Sequence, residues 1–158
     1  MSVVLHRTGQ VASGSRTESA SHLSYVGSSK AAPTTSAAEQ GRIGVPFTAL
    51  LDAVEDAERL ASEDAEQAPP KEGAFSEAYR LLKMLPAGIL PPQPVVEPSG
   101  AIAWVWDEPE RGFLVLAVNG CGQMEHSAAI EGTESSGRSP LVGQFNPALI
   151  ALLETFTF

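Results

Sequence analysis

Apolar residues recur with helical spacing from Phe47 onward. Phe47, Leu50, Leu51, Val54, Ala57, Leu60 and Ala61 fall at i, i+3, i+4 and i+7 intervals, which is one stripe of an amphipathic helix over 47–66. Pro46 suits the first turn of that helix, where its missing N–H has no helical acceptor. Gln67-Ala68-Pro69-Pro70 ends it, because proline disfavours helical geometry in the residue before it. A second helix is read from Phe75, Ala78, Tyr79, Leu81, Leu82 and Leu85, with Gly73 or Ser76 as its cap and Pro86 and Gly88 as its stop.

The period then changes from helix to strand. Leu90-Pro91-Pro92-Gln93-Pro94 is extended and leads into a short piece, Val95-Val96-Glu97. Pro98-Ser99-Gly100 is a turn. Ala101–Asp107 alternates, with Ile102, Trp104 and Trp106 on one face. Glu108–Gly112 is a hairpin-length loop. Phe113–Asn119 is apolar on both faces, which predicts a central strand covered on both sides. Asn119-Gly120 marks the next hairpin, and Gln123–Ile130 forms a further strand. Glu131–Pro140 reads as a loop, and Leu141–Phe145 as another short strand. Asn146-Pro147 opens a C-terminal helix, with Asn as N-cap and Pro at the first helical position. Leu149, Ile150, Leu152, Leu153 and Phe156 supply its apolar side.

These elements predict an α+β fold: an antiparallel meander of three to four strands, with two N-terminal helices and one C-terminal helix packed on it. The 158-residue length sets one domain as the expectation. Residues 1–44 differ from the rest. They are dominated by Ser, Ala, Gly and Thr and have no sustained period, so they are read as a flexible tail, with the domain at 45–158. A transit peptide, or an added edge strand at Val3–Leu5 or Leu23–Val26, are the other readings of that segment.

Charge sharpens the functional picture. The formal net charge is −9. Arg7, Arg16, Lys30 and Arg42 outnumber Glu18 and Glu39 in the first 44 residues, so the acid excess falls on the domain. That balance argues against direct nucleic-acid binding, which needs clustered Lys and Arg. It suits a protein partner with a basic surface. The first helix concentrates the acids: Asp52, Glu55, Asp56, Glu58, Glu63, Asp64 and Glu66 stand against Arg59 alone. Asp52, Glu55, Asp56, Glu63, Asp64 and Glu66 are therefore the candidate partner-binding residues. A solvated face is the other reading of the same pattern. No Ca²⁺ loop spacing is present.

Catalytic patterns are weak. Cys121 lies in Gly120-Cys121-Gly122 with His126 five residues on, but a tight turn sets Cys121 at its tip and His126 several residues down the next strand, apart from it. His6, His22 and His126 form no ligand pair and no Cys-x-x-Cys occurs, so neither a metal nor a cofactor is expected. Glu108 and Glu110 sit in an exposed hairpin loop, a poor setting for a paired-carboxylate site. Phosphate-binding and nucleophile-elbow motifs are missing. Trp104 and Trp106 are read as core anchors, or else as aromatic anchors of a protein interface. A single cysteine and no apolar run near the roughly 18 residues of a membrane span lead to an expected cytoplasmic location without membrane contact.

From Ala78 to Ile130 the chain resembles a loose class of small bacterial and mobile-element proteins. The resemblance rests on Leu85-Pro86, Pro91-Pro92-Gln93-Pro94, the Ser99-Gly100 turn, a strand ending in Trp106 and the hairpin after it. The Asn146–Phe156 helix fits the same plan, and residues 1–44 have no counterpart. The class implies accessory genes of mobile elements and defence regions, and no activity. The function expected is that of a non-enzymatic acidic interaction module of bacterial or phage origin. It would act as an inhibitor or antitoxin-like partner; phosphate mimicry of the anti-CRISPR kind is its specific form. The alternative is a small enzyme built from His126 and scattered acids.

Overall fold

The structure, a computed structural model, describes residues 37–158. The segments Val3–Leu5 and Leu23–Val26 lie outside the described residues. Three helices and five strands follow one another along the chain: α1 (Ala37–Glu63), α2 (Ala74–Met84), β1 (Gln93–Val96), β2 (Ile102–Glu108), β3 (Gly112–Val118), β4 (Gln123–Ile130), β5 (Thr133–Pro140) and α3 (Pro147–Glu154). The fold is α+β as expected, but its sheet has five strands rather than three to four, in the order β1-β2-β3-β4-β5, every pair antiparallel.

The strand register sorts side chains onto two faces. Trp104 stands opposite Leu116, Trp106 opposite Leu114 and Ile102 opposite Val118. Met124 and Ala128 continue the same face on β4. All of these are buried, and they form one cluster with Leu50 of α1, Ala78, Leu81 and Leu82 of α2, and Leu149, Leu153 and Phe156 at the C-terminus. Two indole N–H groups fasten sheet to helical layer. Trp104 Nε1 donates to the Ala78 carbonyl and Trp106 Nε1 to the Leu90 carbonyl, each at 2.8 Å. A buried indole N–H without an acceptor would cost about 1–3 kcal/mol, so these contacts fix where each tryptophan can sit.

Four expectations are corrected. First, α1 begins at Ala37, so Pro46 lies inside the helix and residues 37–44 are helical where composition assigned them to a tail. An interior proline costs about 3 kcal/mol. Tertiary contacts offset it: Pro46 is fully buried, Ile43 packs on the core, and Arg42 Nη1 donates to the Leu85 carbonyl at 2.9 Å. Second, α1 ends at Glu63, and Leu51 and Leu60 of the apolar stripe remain 45% and 44% exposed. Third, Thr133–Pro140 is a strand and 141–145 is not. Glu131 (φ 50) and Gly132 (φ 75) form a two-residue reversal of the hairpin-favouring kind, which a loop reading overlooks. Fourth, β3 is central in the sheet, yet among the described residues the helices cover one face only. Val95, Val105, Phe113, Val115 and Ala117 lie on the other face, outside the core cluster.

Other expectations match directly. Asn146 caps α3, its Oδ1 accepting from Leu149 N at 2.8 Å, with Pro147 at the first turn. Gly73 is the cap of α2, while Ser76 donates back to the Gly73 carbonyl. After α3 the chain returns beside Ile89, which bridges to Thr157. Leu90 N donates to the Phe156 carbonyl at 2.7 Å, and Arg111 reaches the Thr157 carbonyl.

Candidate functional site

The acids of α1 point away from the core by helical geometry. At 3.6 residues per turn, Asp52, Glu55, Asp56 and Glu63 share the side opposite Leu50, Val54 and Ala57. Leu50 and Ala57 are buried, and Phe47 packs its ring against Tyr79 at 4.9 Å and Phe75 at 6.2 Å. The acidic side is therefore held on a helix whose inner side is fixed. Asp52, Glu55, Asp56, Glu58 and Glu63 are all exposed.

One cation stands among them. Arg59 donates to Asp56 Oδ1 at 3.1 Å, an exposed i,i+3 pair. The hydrogen bond and charge of Asp56, joined by the charge of Glu63, hold the Arg59 guanidinium above its ordinary pKa. Such a pair contributes little to stability because water screens it.

Asp64 and Glu66 do not continue the helical stripe. They occupy the turn after α1, where Asp64 Oδ1 accepts from Glu66 N at 2.9 Å. This turn is tied to the sheet: Ala68 N donates to the Pro98 carbonyl and Lys71 N to the Gly100 carbonyl. The six candidate residues thus divide into four on one helix side and two on the adjoining turn. Among the described residues no group of three or more His, Cys, Asp or Glu side chains is arranged to hold a metal ion. No described helix is long and apolar enough to cross a membrane.

The other sequence candidates separate. Cys121 is exposed at the β3–β4 turn, its N–H donating to Asn119 Oδ1 at 3.1 Å. His126 lies midway along β4, opposite Leu116 and Gly137. Its imidazole is on the helix-covered face, so close over β5 that a Cβ at Gly137 would meet His126 Cε1 at 2.7 Å. His126 Nδ1 is buried without a partner among the described residues. Glu108 and Glu110 are exposed at the β2–β3 turn. Trp104 and Trp106 are 0% and 3% exposed, so the core reading holds and the interface reading does not.

Sequence reasoning missed two groups. Glu77 of α2 accepts from Gly120 N at 2.7 Å and Gly122 N at 2.5 Å, bracing the β3–β4 turn; only the odd placement of an acid near an apolar helix stripe hinted at it. The helix-free face of the sheet carries a shallow hollow of about 490 Å³ between Glu97, Val115, Ala117, Glu125 and Arg138. Arg138 pairs with Glu125 across β4 and β5.

No family model, curated protein or solved structure matches this chain. The functional reading therefore rests on the residues themselves.

Proposed function

We propose that the chain is a non-enzymatic, acidic protein-interaction module of bacterial or phage origin that works in the cytoplasm. It binds a partner with a basic surface and acts as an inhibitor or antitoxin-like protein. One observation carries this reading: Asp52, Glu55, Asp56 and Glu63 share the outer side of a helix whose inner side is packed, with Arg59 as their one cation. Glu55 and Asp56, at i+3 and i+4 from Asp52, stand about 5–6 Å from it at Cβ, and Glu63 follows two turns beyond Asp56 with Arg59 between; the cluster presents negative charge to a basic groove as phosphates would. Charge of this kind raises the association rate and selects among partners more than it adds affinity. In its most specific form the module mimics phosphates against a nucleic-acid-binding complex, as an anti-CRISPR protein would.

The enzyme reading finds less support. In the register, His126 faces Leu116 and Gly137, which supply neither an acid nor a nucleophile.

The test is salt-dependent capture of basic proteins encoded beside the gene. Wild type is expected to capture one of them at low salt and release it at high salt. The quadruple reversal D52K/E55K/D56K/E63K is expected to abolish capture. Unchanged capture by that variant would refute the acidic-face reading.

A further inference from the structure

The geometry points to a second copy of this chain as the partner of β5, the two strands pairing antiparallel about a two-fold axis at Ser136. This inference is independent of the acidic-helix reading. At the opposite margin of the sheet, α1 packs against β1. Among the described residues β5 has a neighbour on one side only, β4. An open strand edge offers unpaired N–H and C=O groups to any chain that fits them.

Which groups face outward follows from the hairpin. The two-residue turn at Glu131-Gly132 is closed by Ile130 and Thr133, which form a hydrogen-bonded pair. Hydrogen-bonded positions alternate along an antiparallel ladder, so Ser135, Gly137 and Ser139 also turn their main-chain groups toward β4. Leu141 continues that parity, its N–H donating to the Gly122 carbonyl at 2.8 Å. Glu134, Ser136 and Arg138 therefore present N–H and C=O outward. Pro140 also falls on the outward parity, where its missing N–H leaves the β4 ladder intact. Its carbonyl already accepts from Val142 N at 2.9 Å, so the open ladder stops there.

This edge is self-complementary. Two copies centred on Ser136 use every outward group of residues 134, 136 and 138 in both chains. The same register sets Glu134 opposite Arg138 of the other copy, twice. Shifting by one repeat places Glu134 or Arg138 opposite Ser136, and shifting by two places like charges opposite each other, Glu134 on Glu134 or Arg138 on Arg138. Like charges directly opposite destabilise a strand pair. Within the chain Arg138 pairs with Glu125, while Glu134 has no cationic partner among the described residues. The second copy completes a Glu125–Arg138–Glu134 row across three strands. With one Glu and one Arg, β5 is neutral in a chain of net charge −9, so this edge can approach its own copy.

Sedimentation equilibrium of the full chain tests this. Wild type is expected to show a monomer–dimer equilibrium. E134R and R138E each set like charges opposite one another at both contacts, and each is expected to weaken association by about tenfold or more. Mixed in equal amounts, the two variants restore both opposite-charge contacts, and a heterodimer of wild-type strength is expected. A wild type that stays monomeric up to about 1 mM overturns the inference. So does wild-type association by either variant alone, or a mixture no stronger than its components. Should a charge variant lose its circular-dichroism spectrum, Ser136→Pro reads the same contact by removing the outward N–H on the axis; wild-type dimerisation of folded S136P is equally fatal.

Discussion

Glu77 on α2 holds Gly120 at the far end of β3: its carboxylate accepts the Gly120 N–H at 2.7 Å and, through its other oxygen, the Gly122 N–H at 2.5 Å. One side chain thus satisfies two amides of a turn that makes few bonds of its own. Hydrogen bonds to a charged acceptor contribute about 1.5–3 kcal/mol. Glu77→Ala is expected to lower the unfolding free energy by about 2–3 kcal/mol, and Glu77→Gln by less, since its oxygen retains one acceptor. Urea denaturation measures the loss. Faster hydrogen exchange at the Gly120 and Gly122 amides assigns it to the turn.

Gly120 and Gly122 both have positive φ, 83° and 73°, but their surroundings differ. A Cβ at Gly120 would lie 2.0 Å from the Glu72 carbonyl oxygen, while at Gly122 it would meet nothing within 4 Å. Gly122→Ala is expected to cost the left-handed penalty alone, about 1–2 kcal/mol. Gly120→Ala must also push the turn off the start of α2, and a loss of about 3 kcal/mol or more is expected. Equal losses in paired melts would contradict the close approach.

Trp104→Phe separates the indole hydrogen bond from the ring it belongs to. Trp104 is fully buried and its N–H reaches the Ala78 carbonyl. The phenyl ring keeps most of the apolar contact and loses the bond, so a loss of about 1–3 kcal/mol is expected, against about 3–5 kcal/mol for Trp104→Ala. Thermal unfolding of both variants gives the comparison.

Gly44 is an exposed position in the first half of α1, with open space where a Cβ would be. Gly44→Ala is expected to stabilise the protein by about 0.5–1 kcal/mol through helix propensity. A destabilised variant would show that residues 37–45 are not helical in solution.

The acidic side of α1 gives the opposite kind of expectation. Asp52, Glu55 and Glu63 are exposed and make no ion pair among the described residues, and Asp56 makes only the exposed pair with Arg59. The quadruple lysine reversal should leave the melting temperature within a few degrees of wild type, because exposed charges contribute little. A binding loss in that variant then reports on the surface rather than on folding.

Much of the fold is legible from local pattern. The 3.6 period of Ala78, Leu81, Leu82 and Leu85, the alternation through Trp104 and the Asn146-Pro147 start each name their element. What is not legible has a common cause. Strand β5 is mainly exposed on both faces, so it shows no alternation to read, and its hairpin is signalled only by Glu131-Gly132. The start of α1 depends on Ile43 and Arg42 finding the core and Leu85, contacts that no window around Pro46 contains. The acidic stripe was visible as a period, whereas the departure of Asp64 and Glu66 from it depended on where the helix stops. Glu77 offers only its place beside the apolar stripe of α2, because its partners lie more than forty positions away.

The strand order has a further consequence for how the chain acquires its shape. Each strand pairs only with its neighbours in sequence, so the sheet assembles through short loop closures, and local contact of this kind speeds folding. The longest closures come from the last residues: Phe156 meets Leu90, and Thr157 meets Arg111 and Ile89. The meander can therefore form before α3 docks on it. Docking of α3 and the residues after it is then the step that seals Trp106 against Phe156, whose rings lie 6.2 Å apart in the finished core.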